Sequence, residues 1–309
     1  MHEGSRKAII AAFFANMGIA VAKFVGFLLT GSAGLLAEAG HSVADTGNQG
    51  LLMFGSKRGK RPADAAHPFG YGPERYFWSF VVALVLFSMG GLFALYEGIQ
   101  KVSHPHEIES AVIAYVILGV SIALETFSLR TAIKEANHVR NGRSWWQFIR
   151  GAKAPELPVV LLEDVGAECG LIVALLGLSM AEITGDPRWD AVGSVAIGIL
   201  LIGVAIILAI EMKGLLIGEA ASDDDLEAIH AALRGSDQVK GIIHLRTMHL
   251  SPDQLLVAAK LDFDPSLTVA ELATAIDGAE ANLRTHVPIA HTVYIEPDIR
   301  RADSSTPSE

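Results

Sequence analysis

A single cysteine, Cys169, occurs in 309 residues. That excludes an internal disulfide framework and any CxxC zinc site. No GxxxxGK[ST] segment is present, so nothing in the sequence implies nucleotide hydrolysis as an energy source. HExxH is also missing, which ranks an intramembrane metalloenzyme, with its open ligand position and placed base, below other readings. Positive charge is scarce: 24 Lys and Arg stand against 34 Asp and Glu, a formal net charge of −10. With no basic face, nucleic acid is not an expected partner. What is abundant is apolar surface, 51% of residues, gathered in several near-continuous runs. A polytopic membrane protein followed by a soluble tail accounts for that pattern.

Six spans can be drawn, at about 8–30, 33–55, 77–100, 110–130, 157–181 and 190–211. The run from Ala8 to Leu29 follows Arg6 and Lys7. It is too long for the apolar region of a cleavable signal and is read as the first span. Lys and Arg concentrate before span one, between spans two and three, and between spans four and five. By the positive-inside rule both termini are expected on the cytoplasmic side. The expected division is a transmembrane domain over 1–212, a cytoplasmic dimerisation domain over 213–298 and a disordered tail over 299–309.

Span two departs from an ordinary membrane helix. AGLLAEAGHSVADTGNQGLLMF is apolar at its ends, yet Glu38, His41, Asp45 and Asn48 follow at steps of three, four and three, with Gln49 next. On a 3.6-residue helix those four share one stripe. Each charge at a helix centre costs about 2.5–3.5 kcal/mol on insertion scales. A bound cation, a proton pathway or polar partners on another helix are the candidates that offset it. Span five, PELPVVLLEDVGAECGLIVALLGLSM, carries Glu163, Asp164 and Glu168. Asp164 and Glu168, four apart, share a face, whereas Glu163 points about 100° away from Asp164. His41 with Asp45, and Asp164 with Glu168, can offer two ligands each from facing helices. Ligands bind metal deprotonated, so metal binding would release protons.

Other polar groups have plainer readings beside functional ones. Asn16 in span one suits an interhelical hydrogen bond, with ion passage as the alternative. Glu125 in span four is a proton relay or a partner for a basic residue such as Arg130. In the loop SKRGKRPADAAHPFGYGPERYFW, Asp64 and His67 are three apart and could share a cation; a capping Asp with a solvated His is the competing reading. Trp145 and Trp146 among arginines suit the headgroup region. Gly193, Ser194 and Gly198 give span six a small-residue face. In the tail, helices over 222–234 and 268–285 and strands over 240–250, 254–263 and 290–296 give the order αββαβ, a small α+β domain. Ser222 and Thr268 are its expected N-caps.

At these residues the chain resembles the cation diffusion facilitators, close to their zinc-transporter-like branch. The resemblance rests on SAGLLAEAGHSVADTGNQGLL, HPFGYGPERYFW, EANHVRNGRSWWQFIRGAKAPELPVVLLED and the tail. It implies a bundle of six transmembrane helices with a metallochaperone-like cytoplasmic domain, acting as a homodimer that exports a divalent cation, chiefly zinc, against protons. His41 and Asp45 fall on its two span-two ligand positions, and Asp164 on the span-five aspartate. Val160 stands where most of the family has His or Asp, so Glu168 is the first choice for the fourth ligand and Glu163 the second. Glu38 and Glu125 are the candidates for a proton pathway. More oxygen ligands would admit manganese, iron or cobalt. Asp64 and His67 match the family's loop site, whose second histidine is replaced by Tyr71. In the tail His244, His249 and Glu296 are the remaining candidate ligands; His286 and His291 are also present. A membrane metal sensor or scaffold that binds without translocating is the rival. The expected location is a bacterial inner membrane.

Overall fold

The computed structural model describes residues 3–30, 33–103 and 111–300. The chain divides into two compact units, Met1–Ala63 with Glu74–Lys213, and Asp64–Pro73 with Gly214–Glu309.

The first unit is helical. It contains α1 (Glu3–Thr30), α2 (Ala33–Arg58), α3 (Glu74–Ser103), α4 (Ala111–Val139), the short α5 (Trp145–Gly151), α6 (Glu156–Thr184) and α7 (Arg188–Ile217). Four of them, α1, α3, α4 and α7, are long and apolar enough to cross a membrane. The acid-bearing α2 and α6 have comparable lengths, 26 and 29 residues. Around α1 gather α2, α4 and α6, and α4 also lies against α6. Proline begins rather than interrupts α6: Pro155 is its N-cap and Pro158 falls in its first turn, where the missing N–H costs nothing. Gly185, at φ +67°, closes α6 with a left-handed residue, the conformation that glycine adopts without penalty.

In α3 the ladder widens to a π-helical stretch over Leu86–Leu92, LFSMGGL. That stretch and the turns beyond it lie against α7. A Cβ on Gly98 would stand 2.7 Å from the Val195 backbone nitrogen, and one on Gly198 2.6 Å from that of Leu95. The two backbones therefore touch where neither helix carries a side chain. Polar links add to this packing. Arg75 Nε on α3 donates to Glu156 Oε1 on α6 at 2.6 Å, both side chains nearly fully buried. Lys101 reaches Asp190 on α7 at 3.3 Å, and Tyr115 Oη on α4 donates to Glu182 on α6 at 2.9 Å.

The second unit holds α8 (Asp223–Arg234), β1 (Val239–Ser251), β2 (Gln254–Phe263), α9 (Val269–His286) and β3 (Thr292–Asp298). The sheet order is β1-β2-β3, antiparallel between β1 and β2 and parallel between β2 and β3. Along β2 burial alternates without a break, so Leu255, Val257, Ala259, Leu261 and Phe263 form one apolar face. Ile229 and Leu233 of α8, Leu283 of α9 and Val293 of β3 complete the core on that face. Both helices begin at the expected caps: Ser222 Oγ accepts from Asp225 N–H, and Thr268 forms a capping box with Glu271. Residues 64–73 belong to this unit, and a Cβ on Gly72 would meet the Leu250 carbonyl oxygen at 2.5 Å.

Candidate metal centre

Three helices of the first unit bring their polar residues together. The acid pair of α6 is split between its neighbours, as the 100° step between adjacent residues requires. Glu163 faces α2: its Oε1 accepts from Asn48 Nδ2 and its Oε2 from Gln49 Nε2, each at 2.9 Å. Asp164 faces α4, where Ser128 Oγ donates to its Oδ2 at 2.7 Å. One turn on, Thr126 Oγ1 donates to Glu168 Oε1 at 2.9 Å. The α4 side is a buried row of Ser121, Glu125 and Ser128 at steps of four and three. Arg130 lies about 140° around the helix from Glu125. Glu125 stands within electrostatic range of Asp164, Glu163, Asp45 and Glu168. Asp45, half-buried on α2, also acts on Glu163.

Among the described residues the donors to Glu163, Asp164 and Glu168 are neutral hydroxyls and amides. Both oxygens of Glu163 are engaged, whereas among the described residues Glu168 keeps one buried oxygen, Oε2, without a hydrogen-bond partner. Asn48 Oδ1 and Gln49 Oε1, the other ends of the two amides, are likewise buried without one. The side chains of Glu38 and His41 lie outside the described residues. Among the described residues no three His, Cys, Asp or Glu side chains are gathered closely enough to hold a metal ion.

The loop candidates form a different structure. Asp64 Oδ1 accepts from the backbone N–H groups of Ala66 and His67, and Oδ2 accepts from Tyr71 Oη at 2.7 Å. His67 stacks on Tyr71 with centroids 4.3 Å apart, its Nδ1 3.6 Å from Asp64. The Tyr71 hydroxyl, followed by the His67 N–H, holds the Asp64 carboxyl below its ordinary range. Both oxygens are thus engaged within the turn, the arrangement of a capping carboxylate. The tail candidates are also separated. His244 Nε2 accepts from Arg246 Nε at 3.0 Å on an exposed part of β1. His249 is buried, with Nδ1 3.3 Å from the Ser251 carbonyl oxygen. Register places Lys260 between His244 and Glu296. Its ammonium group lies 3.1 Å from both Glu296 and Asp298, so a cation already occupies the charge of that row.

Asn48 belongs to the expected span-two stripe and Gln49 follows it; that both donate to Glu163 is visible only in the fold. Thr126 and Ser128 were not singled out from the sequence. The available signal was their position one and three residues after Glu125, at the end of the apolar part of the helix.

Residues 9–217 match the model of the cation efflux transmembrane domain, and residues 221–298 that of the cation efflux protein cytoplasmic domain. The human mitochondrial proton-coupled zinc antiporter SLC30A9 is 31% identical over 264 residues, covering 85% of this chain and 46% of that protein. Metal tolerance protein C4 of Arabidopsis thaliana is 32% identical over 270 residues, 86% of this chain and 58% of that protein. The chain therefore spans about half the length of these relatives. Magnetosome protein MamB of Magnetospira sp. (strain QH-2) is 25% identical over 284 residues, 92% of each chain. By family and by its apolar helices this is an integral membrane protein with a C-terminal α+β domain, and it belongs to the cation efflux family.

Proposed function

We propose that the chain exports a divalent metal cation, zinc foremost, in exchange for protons. The observation that carries this reading is the set of buried acids on α4 and α6, Glu125, Glu163 and Asp164, beside the half-buried Asp45 of α2, in a family defined by cation efflux. In this reading six helices cross the bilayer, α2 and α6 among them, and both termini are cytoplasmic. The transported ion sits between α2 and α6 on His41, Asp45, Asp164 and Glu168. Glu168 is preferred over Glu163 because it retains a buried oxygen without a partner, while Glu163 has both engaged. Ser128 and Thr126 of α4 each hold one oxygen of Asp164 and Glu168, and the ion would take the other. One imidazole with three carboxylates suits zinc, and its oxygen-rich character also admits manganese, iron or cobalt.

Metal entry requires these carboxylates to be deprotonated, so each ion bound displaces protons from the same groups. Exposing that site to each side in turn converts the competition into exchange. Glu125, buried in the row that faces Asp164, is placed to pass protons. Glu38 would extend that path along α2. Dimerisation through residues 213–298 is part of the reading. The match of residues 221–298 to the family's cytoplasmic domain supports it.

The reading is tested in proteoliposomes carrying an internal metal-sensing dye, with Zn²⁺, Mn²⁺, Fe²⁺ and Co²⁺ added in turn. Zinc uptake by the wild type and none by Asp45→Ala is the expected result. Saturable zinc binding without uptake would replace the transporter by a sensor.

A further inference from the structure

The connection between α4 and α6 is built in a way that exchange between α2 and α6 does not require. Ser144 and Gln147 form a capping box that sets the start of α5, and Phe148 is buried beneath it. Trp145 and Trp146, next to each other, remain 38% and 53% exposed. Each carries a guanidinium. Arg140 lies 4.4 Å from the Trp145 ring centroid and Arg150 5.7 Å from that of Trp146. Arg143 is exposed beside them, and Arg150 is tied to Glu211 of α7 at 3.3 Å. From Arg130 to Lys153 there are six Lys and Arg and one acid, Glu135, in a chain of net charge −10.

The surroundings of this cluster are apolar and exposed. Val120 and Phe127 of α4 lead toward it, as do Ile206 and Ile210 of α7. Both helices are long and apolar enough to cross a membrane, so these residues face hydrocarbon, and the basic stretch that starts at Arg130 follows the α4 row. An indole suits that level, since its body is apolar and its N–H is polar. A guanidinium stacked on a ring keeps its N–H edge, and that edge matches the oxygens of a phosphate. An acidic protein partner would use the arginines but not two adjacent indoles continuous with lipid-facing rows.

We infer that residues 140–153 form a docking site for the phosphate headgroups of anionic phospholipid, with Arg140, Arg143 and Arg150 as phosphate donors and Trp145 and Trp146 as anchors at the acyl boundary. The site is independent of the ion transported.

The test uses the full chain in nanodiscs of phosphatidylcholine doped with brominated phosphatidylglycerol or, at equal mole fraction, brominated phosphatidylcholine. A Trp78→Phe/Trp189→Phe background leaves Trp145 and Trp146 as the fluorophores. Stronger quenching by the anionic lipid is expected. Near-surface cations contribute about 1 kcal/mol each, about fivefold in affinity. Arg143→Gln should therefore weaken the lipid preference about fivefold, and Arg140→Gln/Arg143→Gln about 25-fold. Lys57→Gln/Lys60→Gln, an equal charge change in another loop, should leave it intact. Among the described residues Arg143 covers no ring, and its side chain's one bond into the loop is the 3.3 Å donation from Nε to the Arg140 carbonyl oxygen, so its single variant keeps the test valid if loss of Arg140 disturbs the loop. Equal quenching by both lipids, or equal loss in the Lys57/Lys60 variant, would overturn the inference. So would reversal of the preference by soluble glycerophosphate or an acidic peptide, which would make this a site for a soluble ligand.

Discussion

Glu163 and Asp164 are neighbours in sequence, yet their carboxylates meet different helices. Asn48 and Gln49 clamp the first and Ser128 holds the second. Removing a donor from a buried acceptor costs about 1–3 kcal/mol. Asn48→Leu and Gln49→Leu should each destabilise the protein by about that amount, as read by thermal unfolding in detergent. Glu163→Gln should retain zinc transport while Glu168→Gln loses it. The reverse order would exchange their roles in the proposed site. The buried pair of Arg75 and Glu156 behaves differently, because each single variant strands a charge. Arg75→Gln is expected to cost about 3–5 kcal/mol, and the apolar double variant Arg75→Met/Glu156→Leu to regain most of it. A double variant no better than the single one would show that the ion pair itself carries the stability. The acids of this region were legible from sequence because a charge in an apolar run stands out. Their partners were not. Thr126 and Ser128 are ordinary in a helix, and only the approach of α4 to α6 gives them acids to hold.

Legibility varies by element in the same physical way. β2 announces itself by an apolar run bounded by Pro252-Asp253 and Asp264-Pro265, and α8 and α9 by their caps, since those signals are local to the chain; the strict alternation of β2 is a property of its burial. Seven-residue α5 is too short to show a helical period, and only the Ser144–Gln147 box marks its start. The π stretch of α3 reflects two glycines and the close approach of α7, a tertiary cause. Loss of a capping hydroxyl costs about 1 kcal/mol. Thr268→Ala should therefore lower the protection of α9 in hydrogen exchange, with little change in α1. Asp264 follows β2. The Ser266 hydroxyl, then its N–H, then Lys240 hold its carboxyl down to about 2, from an ordinary 3.8. A group depressed on folding stabilises the fold above its unfolded value, and that contribution disappears as pH falls through the folded one. Protection of β1 and β2 should thus hold above about pH 5 and decline from about pH 4 toward pH 2, and Asp264→Asn should flatten the decline. An unchanged decline in that variant would assign the acid sensitivity to another group.

The whole molecule joins a helical unit to a small α+β unit. The outline of both was readable because apolar runs and basic loops recur along the first unit, while strands and caps of the second are marked locally. The allocation of residues 64–73 to the second unit was not, since it depends on contacts such as that of Gly72 with Leu250. In the proposed function a buried acid site exchanges metal for protons. Proteoliposomes with equal zinc inside and outside, subjected to a pH step, test it most directly. The proton gradient is then the only driving force. Zinc should move uphill toward the more acidic side, reverse direction when the pH step is reversed, and stay still in Asp164→Asn. Zinc that remains equal on both sides of the wild-type membrane, while still flowing down its own gradient, would contradict proton exchange.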